Sequence, residues 1–128
     1  MIIGVGMDMV DIARVAGLLR EESGDRFMRR ILTEEEQQLA AGKRGRLAEF
    51  TAGRFAAKEA VVKALGCGIG RQAGFHDVSV LPDESGKPHC FLSEGARQRL
   101  GLGQDVVIHL SITHTDTMAA AYAVVERP

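Results

Sequence analysis

The chain has 128 residues, a formal net charge of −1 at pH 7, 45% hydrophobic residues and 26% charged residues. This length fits one domain, residues 1–128, with a substantial core, and the ordinary composition argues against disorder. The balance of 16 basic and 17 acidic residues argues against a nucleic-acid-binding protein. No apolar run approaches the ~20 residues that cross a membrane. Without a charged leader, and with only Cys67 and Cys90, we expect free thiols in the cytoplasm.

Hydrophobic periodicity and turn residues predict alternating groups of helices and strands. Asp11 is a suitable N-cap for a first helix, and Thr33 to Glu36 has the capping-box pattern. The predicted elements, in chain order, are a strand at 2–10, a helix begun by Asp11, short helices at 25–32 and 33–42, a long helix at 46–65, a glycine-dense loop, strands at 77–82 and 87–92, a helix from Ser93 to Leu100, and strands at 105–113 and 117–125. This order predicts an α+β fold, with a largely antiparallel sheet packed against one long and several short helices.

The long helix carries basic residues within its apolar arc. At about 100° per residue, the arc consists of Leu47, Phe50, Phe55, Val61, Val62 and Leu65. Arg54 and Lys58 fall inside it, one turn apart. A cation in such an arc extends to solvent, pairs with an anion, or faces a ligand or a subunit boundary. The sequence leaves these alternatives open.

Three charged residues suggest a site for a divalent cation. Glu59 and Lys63 share a helix face, and an ordinary surface ion pair is the commoner explanation for this spacing. Asp8, however, lies in a strand that we expect to be central and apolar, where a carboxylate needs a partner. A cation shared by Asp8 and Glu59 would provide one, because two carboxylates can hold Mg²⁺ and leave positions for phosphate oxygens.

The glycine loop and the histidines are less specific. The loop that begins at Gly66 follows a helix, and the negative end of a helix repels phosphate, so any phosphate there needs cations such as Lys63 or Arg71. His114 stands at a predicted strand end, where a histidine is more often structural or exposed. No two of the four histidines have zinc-ligand spacing.

Three segments together resemble the 4′-phosphopantetheinyl transferases of the holo-acyl-carrier-protein synthase type. They are Gly6-Met7-Asp8-Met9-Val10-Asp11-Ile12-Ala13-Arg14, Phe55-Ala56-Ala57-Lys58-Glu59-Ala60-Val61-Val62-Lys63-Ala64 and Ser111-Ile112-Thr113-His114. The first two are specific in combination, at a separation of ~50 residues, and the resemblance extends over essentially the whole chain.

The resemblance implies the 4′-phosphopantetheinyl transferase fold and a reaction in fatty acid biosynthesis. The phosphopantetheine arm of coenzyme A would move to a serine of apo-acyl carrier protein, releasing 3′,5′-ADP. Asp8 and Glu59 would bind Mg²⁺, or alternatively Mn²⁺, and Lys63 would be the third catalytic residue, at the pyrophosphate. The implied coenzyme A contacts are Arg54, Lys63, Gly66, Lys87, Pro88 and His114, and the implied carrier-protein contacts are Arg14, Leu18 and Arg26. The family also implies a homotrimer with active sites between subunits, and no membrane or nucleic-acid partner.

Three alternatives remain at this point. The proton acceptor for the serine is either Glu59 or a water held by the metal and a carboxylate. The carrier could belong to a polyketide or peptide synthase instead of fatty acid synthesis. Finally, the chain could be a non-catalytic nucleotide-binding trimer that keeps the fold without turnover.

Overall fold

The computed structural model describes all 128 residues and confirms the predicted α+β class. The strands are β1 (Ile2–Asp11), β2 (Val78–Pro82), β3 (Pro88–Leu92), β4 (Val107–His114) and β5 (Met118–Glu126). The helices are α1 (Ile12–Arg20), α2 (Gly24–Ile31), α3 (Glu34–Ala41), α4 (Leu47–Leu65) and α5 (Glu94–Leu100). A short 3₁₀ turn, Phe75–Asp77, precedes β2. The strands form two antiparallel sheets, in the orders β1-β5-β4 and β2-β3.

The prediction that the first strand is central was wrong, because β1 pairs only with β5 and forms an edge of its sheet. That prediction followed from the apolar residues Met7, Met9 and Val10 around Asp8. Instead, the large apolar residues Val5, Met7 and Met9 lie on an exposed outer face. The residues between them, which include Asp8, face α4. Asp8 is therefore not sealed in a core, and 18% of its side chain is exposed.

Helix α4 packs across the inner face of the three-stranded sheet and forms the core with it. Most of the core positions on both surfaces are alanine or valine, including Ala57, Ala60 and Val61 on α4 and Ala121 and Ala123 on β5. Small side chains on both surfaces allow the helix and the sheet to approach closely. None of the helices combines the length and apolar character needed to span a bilayer.

Two glycines bring β1 against the backbone of α4. A Cβ at Gly6 would lie 1.9 Å from the carbonyl oxygen of Ala60, and a Cβ at Gly4 would lie 1.8 Å from that of Ala64. Only glycine permits such an approach. The next residue of β1 that faces the helix is Asp8, so the glycine contacts place its carboxylate beside the C-terminal half of α4.

The helix ends agree with the sequence predictions. The Asp11 side chain accepts a hydrogen bond from the Ala13 N–H, and Thr33 and Glu36 form the predicted capping box. Gly66 adopts a left-handed conformation, with φ 79°, directly after α4, and its N–H donates to the Lys63 carbonyl. This conformation ends the helix at Leu65, two residues after Lys63.

Candidate active site

The three predicted catalytic residues lie together where β1 crosses α4. The Lys63 ammonium group lies 3.1 Å from Asp8 Oδ1 and donates a second hydrogen bond, of 3.0 Å, to the Met7 carbonyl. Half of the Lys63 side chain remains exposed, at 51%. Asp8 and Glu59 are close enough for the Asp8 charge to affect the Glu59 carboxyl. Asp8, which is distant in sequence, thus joins Glu59 and Lys63 of α4 in one solvent-accessible cluster.

Glu59 has the perturbed carboxyl group of this cluster. Burial raises its pKa above the ordinary value, and the neighbouring Asp8 charge raises it further, while Lys63 partly offsets both effects. Lys63 forms its ion pair with Asp8, so the expected surface pair between Glu59 and Lys63 is not the contact that forms. The Glu59 carboxylate has no ion-pair partner, so its ionisation costs free energy in the folded protein.

The chemistry of the acid pair fits a hard divalent cation. The chain contains no cluster of three or more His, Cys, Asp or Glu side chains able to hold a metal. Zinc sites in proteins commonly use three or four such ligands. Mg²⁺ is commonly held by one or two carboxylates and completes its coordination with water and substrate phosphates. A cation would also favour the charged form of Glu59, whose pKa is raised by burial and, to a lesser extent, by the Asp8 charge.

A basic pocket of about 160 Å³ lies between the first half of α4 and the end of β4. Its ionisable lining residues are Lys43, Arg46, Glu49, Arg54 and His114. His114 Nε2 lies 2.6 Å from Glu49 Oε1. The Arg54 guanidinium lies over the Phe50 ring, 4.5 Å from its centroid. Four basic side chains around one cavity suit a ligand that carries phosphate groups.

Sequence reasoning identified Arg54 and His114 but missed Lys43 and Arg46. The available signal was the basic run Lys43-Arg44-Gly45-Arg46 immediately before the long helix. Because this run lies outside the three resembling segments, nothing in the sequence connected it with His114, which is ~70 positions away.

Lys58 faces neither a ligand nor a subunit boundary, and that interpretation of its place in the apolar arc was wrong. Its side chain is 0% exposed and pairs with Glu36, which is also fully buried, at 2.6 Å. The ion-pair alternative is the one that forms. The sequence concealed it because Glu36 appeared only as the closing residue of a capping box.

The predicted carrier-protein contacts surround an apolar groove between α1 and α2. Its lining residues are Val10, Arg14, Val15, Leu18, Phe27 and Phe55. A second depression adjoins it and adds Arg26 and Arg30. Arg14, Leu18 and Arg26 are thus brought to one surface, with arginines at its edges and apolar side chains at its centre.

Three predicted coenzyme A contacts, Gly66, Lys87 and Pro88, do not line the basic pocket. Gly66 follows Lys63 by one helical turn and lies at the end of the site. Lys87 and Pro88 lie at the turn between β2 and β3, where the Lys87 N–H donates to Asp83. They do not line the basic pocket of the same chain. Their contact with coenzyme A stays a prediction that a neighbouring subunit would have to fulfil.

Comparisons with known proteins show which family the chain resembles. Residues 4–123 match the family model of the 4′-phosphopantetheinyl transferase superfamily. The chain is 44% identical over 128 residues to holo-[acyl-carrier-protein] synthase of Halalkalibacterium halodurans, covering 99% of this chain and 98% of the relative. A Bacillus anthracis holo-(acyl-carrier-protein) synthase, solved in complex with CoA (3′,5′-ADP), has a TM-score of 0.84, 42% identity, and coverage of 100% of this chain and 99% of that chain. The solved holo-[acyl-carrier-protein] synthase of Neisseria meningitidis has a TM-score of 0.87 and 32% sequence identity, and the match covers 98% of this chain and 99% of that chain.

These matches extend over the whole fold and include both elements that carry the acid pair. The chain belongs to the 4′-phosphopantetheinyl transferase superfamily, and within it to the holo-acyl-carrier-protein synthase type. It is a phosphopantetheinyl transferase.

Proposed function

We propose that this chain transfers the 4′-phosphopantetheine group of coenzyme A to a serine of apo-acyl carrier protein, in a reaction that depends on Mg²⁺. The observation that carries the proposal is the convergence of Asp8, Glu59 and Lys63 where β1 crosses α4. Splitting a diphosphate requires charge neutralisation and positioning more than covalent participation by the protein. Two acids with an adjacent, partly exposed lysine suit that requirement.

Asp8 and Glu59 would hold the metal through their carboxylates. Mg²⁺, or Mn²⁺ in its place, would neutralise charge on the diphosphate oxygens. Glu59 is prepared for such a role, because its carboxylate has no ion-pair partner and its pKa is raised by burial and by Asp8. The same raised pKa makes Glu59 a candidate base for the serine proton, alongside a water oriented by a carboxylate.

Lys63 would bind the diphosphate through its ammonium group. Its present partners, Asp8 and the Met7 carbonyl, leave half of the side chain exposed. Because lysine is a flexible point charge, its ammonium group can follow negative charge as it develops on the leaving phosphate. Lys63 can also donate a proton to that phosphate.

The basic pocket would bind the adenosine 3′,5′-bisphosphate part of coenzyme A. Arg54 and His114 provide the predicted contacts, and Lys43 and Arg46 add two cations. The solved relative from Bacillus anthracis is in complex with CoA (3′,5′-ADP), which supports the binding of such a nucleotide by this chain. Phosphates at one end and the acid pair at the other would align the diphosphate for attack by the serine.

The groove between α1 and α2 would receive the carrier protein. Arg14 and Arg26 at its edges favour an acidic partner through electrostatic steering, and Leu18 provides apolar contact. We assign the fatty acid carrier as the substrate, following the names of the relatives as acyl-carrier-protein synthases. Competition between carriers tests this choice, since preferential modification of a polyketide or peptide synthase carrier would contradict it.

We further propose a homotrimer that acts in the cytoplasm. On the outer face of the three-stranded sheet, β1 and β5 expose largely apolar side chains, and the cross-strand neighbours there include Val5 with Val124 and Met7 with Tyr122. An exposed sheet face of this kind is typical of a protein interface. Light scattering of an active preparation would contradict the trimer if it gave the mass of one chain. Both cysteines are free, in agreement with a reducing compartment.

Intact mass measurement of the carrier tests the proposed reaction. Apo-carrier incubated with this protein, coenzyme A and Mg²⁺ gains the mass of one phosphopantetheine group, and a chelator prevents the gain. A carrier with the serine replaced by alanine is the matched control and gains nothing. A protein that binds coenzyme A yet leaves the carrier mass unchanged would instead be the non-catalytic nucleotide-binding module.

A further inference from the structure

Lys58 lies in a buried cluster that the proposed reaction does not use. Its ammonium group donates to Glu36 Oε1 at 2.6 Å, to the Ile31 carbonyl at 2.7 Å and to the Phe75 carbonyl at 2.9 Å. All three ammonium protons therefore have an acceptor. These contacts tie α4 to the end of α2, to α3 and to the turn that precedes β2.

Both carboxylate oxygens of Glu36 likewise have hydrogen-bond partners. Besides pairing with Lys58, Oε1 accepts a hydrogen bond from the Thr33 N–H at 2.8 Å, and Oε2 accepts one from the Val80 N–H at 2.7 Å. The carbonyl of Val80 in turn accepts from Arg54 Nε at 3.1 Å. One residue of β2 is thus held on its N–H side by Glu36 and on its carbonyl side by Arg54, whose guanidinium lines the basic pocket.

Stability alone is a weak reason for such a pair. Removing two charges from water is costly, and apolar residues of similar volume often replace a buried ion pair without loss. Burial lowers the pKa of Lys58 and of Arg54, and the Glu36 charge counteracts this effect in both. The pair differs from apolar packing in being directional. Its hydrogen bonds are all satisfied in only one orientation of α4 against its neighbours.

That arrangement determines where the functional side chains of α4 lie. Lys58 directly precedes Glu59, and Arg54 is one helical turn before Lys58. A helix is rigid over this length, so fixing the rotation of α4 at Lys58 also fixes Glu59 toward Asp8 and Arg54 toward the pocket. We propose that Glu36 and Lys58 are positioning residues of this transferase, whose buried pair sets the placement of Glu59 and Arg54. This inference rests on the proposed function only for its kinetic readouts.

The test compares Glu36→Gln, Lys58→Met and the double variant carrying both changes. Each single change leaves a buried polar group or charge unpaired and lowers the melting temperature. The double variant removes both charges and regains most of that loss. Its kcat nevertheless stays about 10-fold or more below that of the unchanged protein, and its KM for coenzyme A is several-fold higher, because small displacements at a reacting centre are costly.

The matched control is Val106→Ala, a fully buried change in the main core away from the pair. It lowers the melting temperature but leaves kcat and the coenzyme A KM unchanged when measured well below that temperature. A folded double variant with the kcat and KM of the unchanged protein would overturn the proposal. Should the double variant not fold, Glu36→Asp replaces it. Aspartate keeps the charge but withdraws the carboxylate by one methylene, and an unchanged kcat for this variant contradicts the proposal equally.

A crystal structure of the double variant gives a readout independent of turnover. In the unchanged protein, Arg54 Nε lies 3.1 Å from the Val80 carbonyl oxygen. We expect the double variant to lose this contact and to show Glu59 displaced from Asp8, whereas unmoved Arg54 and Glu59 side chains would overturn the proposal. If the unchanged protein transfers no phosphopantetheine, the proposed function fails, while this comparison still decides whether the pair positions Glu59 and Arg54.

Discussion

Lys63 neutralises Asp8, 55 residues away in the chain, and not Glu59, its neighbour one helical turn away. The ion pair ties α4 to the edge strand β1 and leaves the Glu59 carboxylate without an ion-pair partner. The site therefore contains one satisfied acid and one destabilised acid next to each other. This asymmetry has consequences for stability as well as for catalysis.

Glu59→Gln should stabilise the folded chain at neutral pH while abolishing transfer. The folded-state pKa of Glu59 is raised from its ordinary value of 4.5, so ionisation of this group reduces stability as the pH rises through that raised pKa. Glutamine removes the penalty. Thermal unfolding without metal should give a higher midpoint for the variant at about pH 7.5, and little gain at about pH 3, where the glutamate is largely protonated in both states. A variant less stable than the unchanged protein at neutral pH would contradict this.

Gly6→Ala should damage both the fold and the site. The added Cβ would lie 1.9 Å from the Ala60 carbonyl, so β1 must move away from α4 and carry Asp8 with it. We expect a loss of stability in the upper range for single substitutions, about 3 kcal/mol or more, together with a fall in kcat.

Gly17→Ala is its matched control, because a Cβ there meets nothing within 4 Å and alanine favours the surrounding helix α1. Chemical denaturation of both variants is the measurement. Equal effects of the two changes would show that the close approach of β1 to α4 is not what places Asp8.

Lys63→Ala should lower kcat more than it weakens coenzyme A binding. Lys63 lies at the acid pair, whereas the basic pocket that would hold most of the phosphate charge is lined by other residues. Interactions that strengthen only as charge develops affect kcat selectively. Calorimetry of coenzyme A binding, together with steady-state rates, separates the two effects. A rise in the dissociation constant with kcat intact would give Lys63 a purely binding role.

The sequence predicted the elements of the fold more completely than their arrangement. Local signals, such as the capping box at Thr33 and the stop at Gly66, correctly located the helix ends. The edge position of β1 could not be inferred, because an alternating strand has the same pattern whether or not its outer face is covered. The acid pair was found by matching residue types to a chemistry. Its physical basis, the glycine contact between β1 and α4, depends on packing that no local pattern encodes.

The buried ion pair between Lys58 and Glu36 could not be predicted from local sequence patterns either. Lys58 was recognised as a cation in an apolar arc, but its partner Glu36 lies 22 positions earlier in another helix. Long-range pairing of single residues leaves no periodic trace in one sequence. The basic pocket was found only in part for a similar reason, since Lys43 and His114 meet through the tertiary fold alone.

Carrier binding should weaken with salt more than coenzyme A binding does. Arg14 and Arg26 lie at the edge of an open groove, where screening by ions is strong. The carrier KM should rise steadily with ionic strength, and Arg14→Glu should raise it further at low salt with little change in kcat. Lys43→Glu, in the basic pocket, is the control and should affect the coenzyme A KM instead. A carrier KM independent of salt would count against the assigned surface.

The most direct measurement is the rate at which Asp8→Ala modifies the carrier in Mg²⁺, followed by intact mass, with circular dichroism to verify folding. Asp8 is partly exposed at a sheet edge, so its loss removes one of the two proposed metal ligands without emptying the core. We expect a folded variant that leaves the carrier unmodified while the unchanged protein converts it. Near-normal transfer by a folded Asp8→Ala chain would contradict the assignment of Asp8 and Glu59 as the metal-binding centre of the reaction.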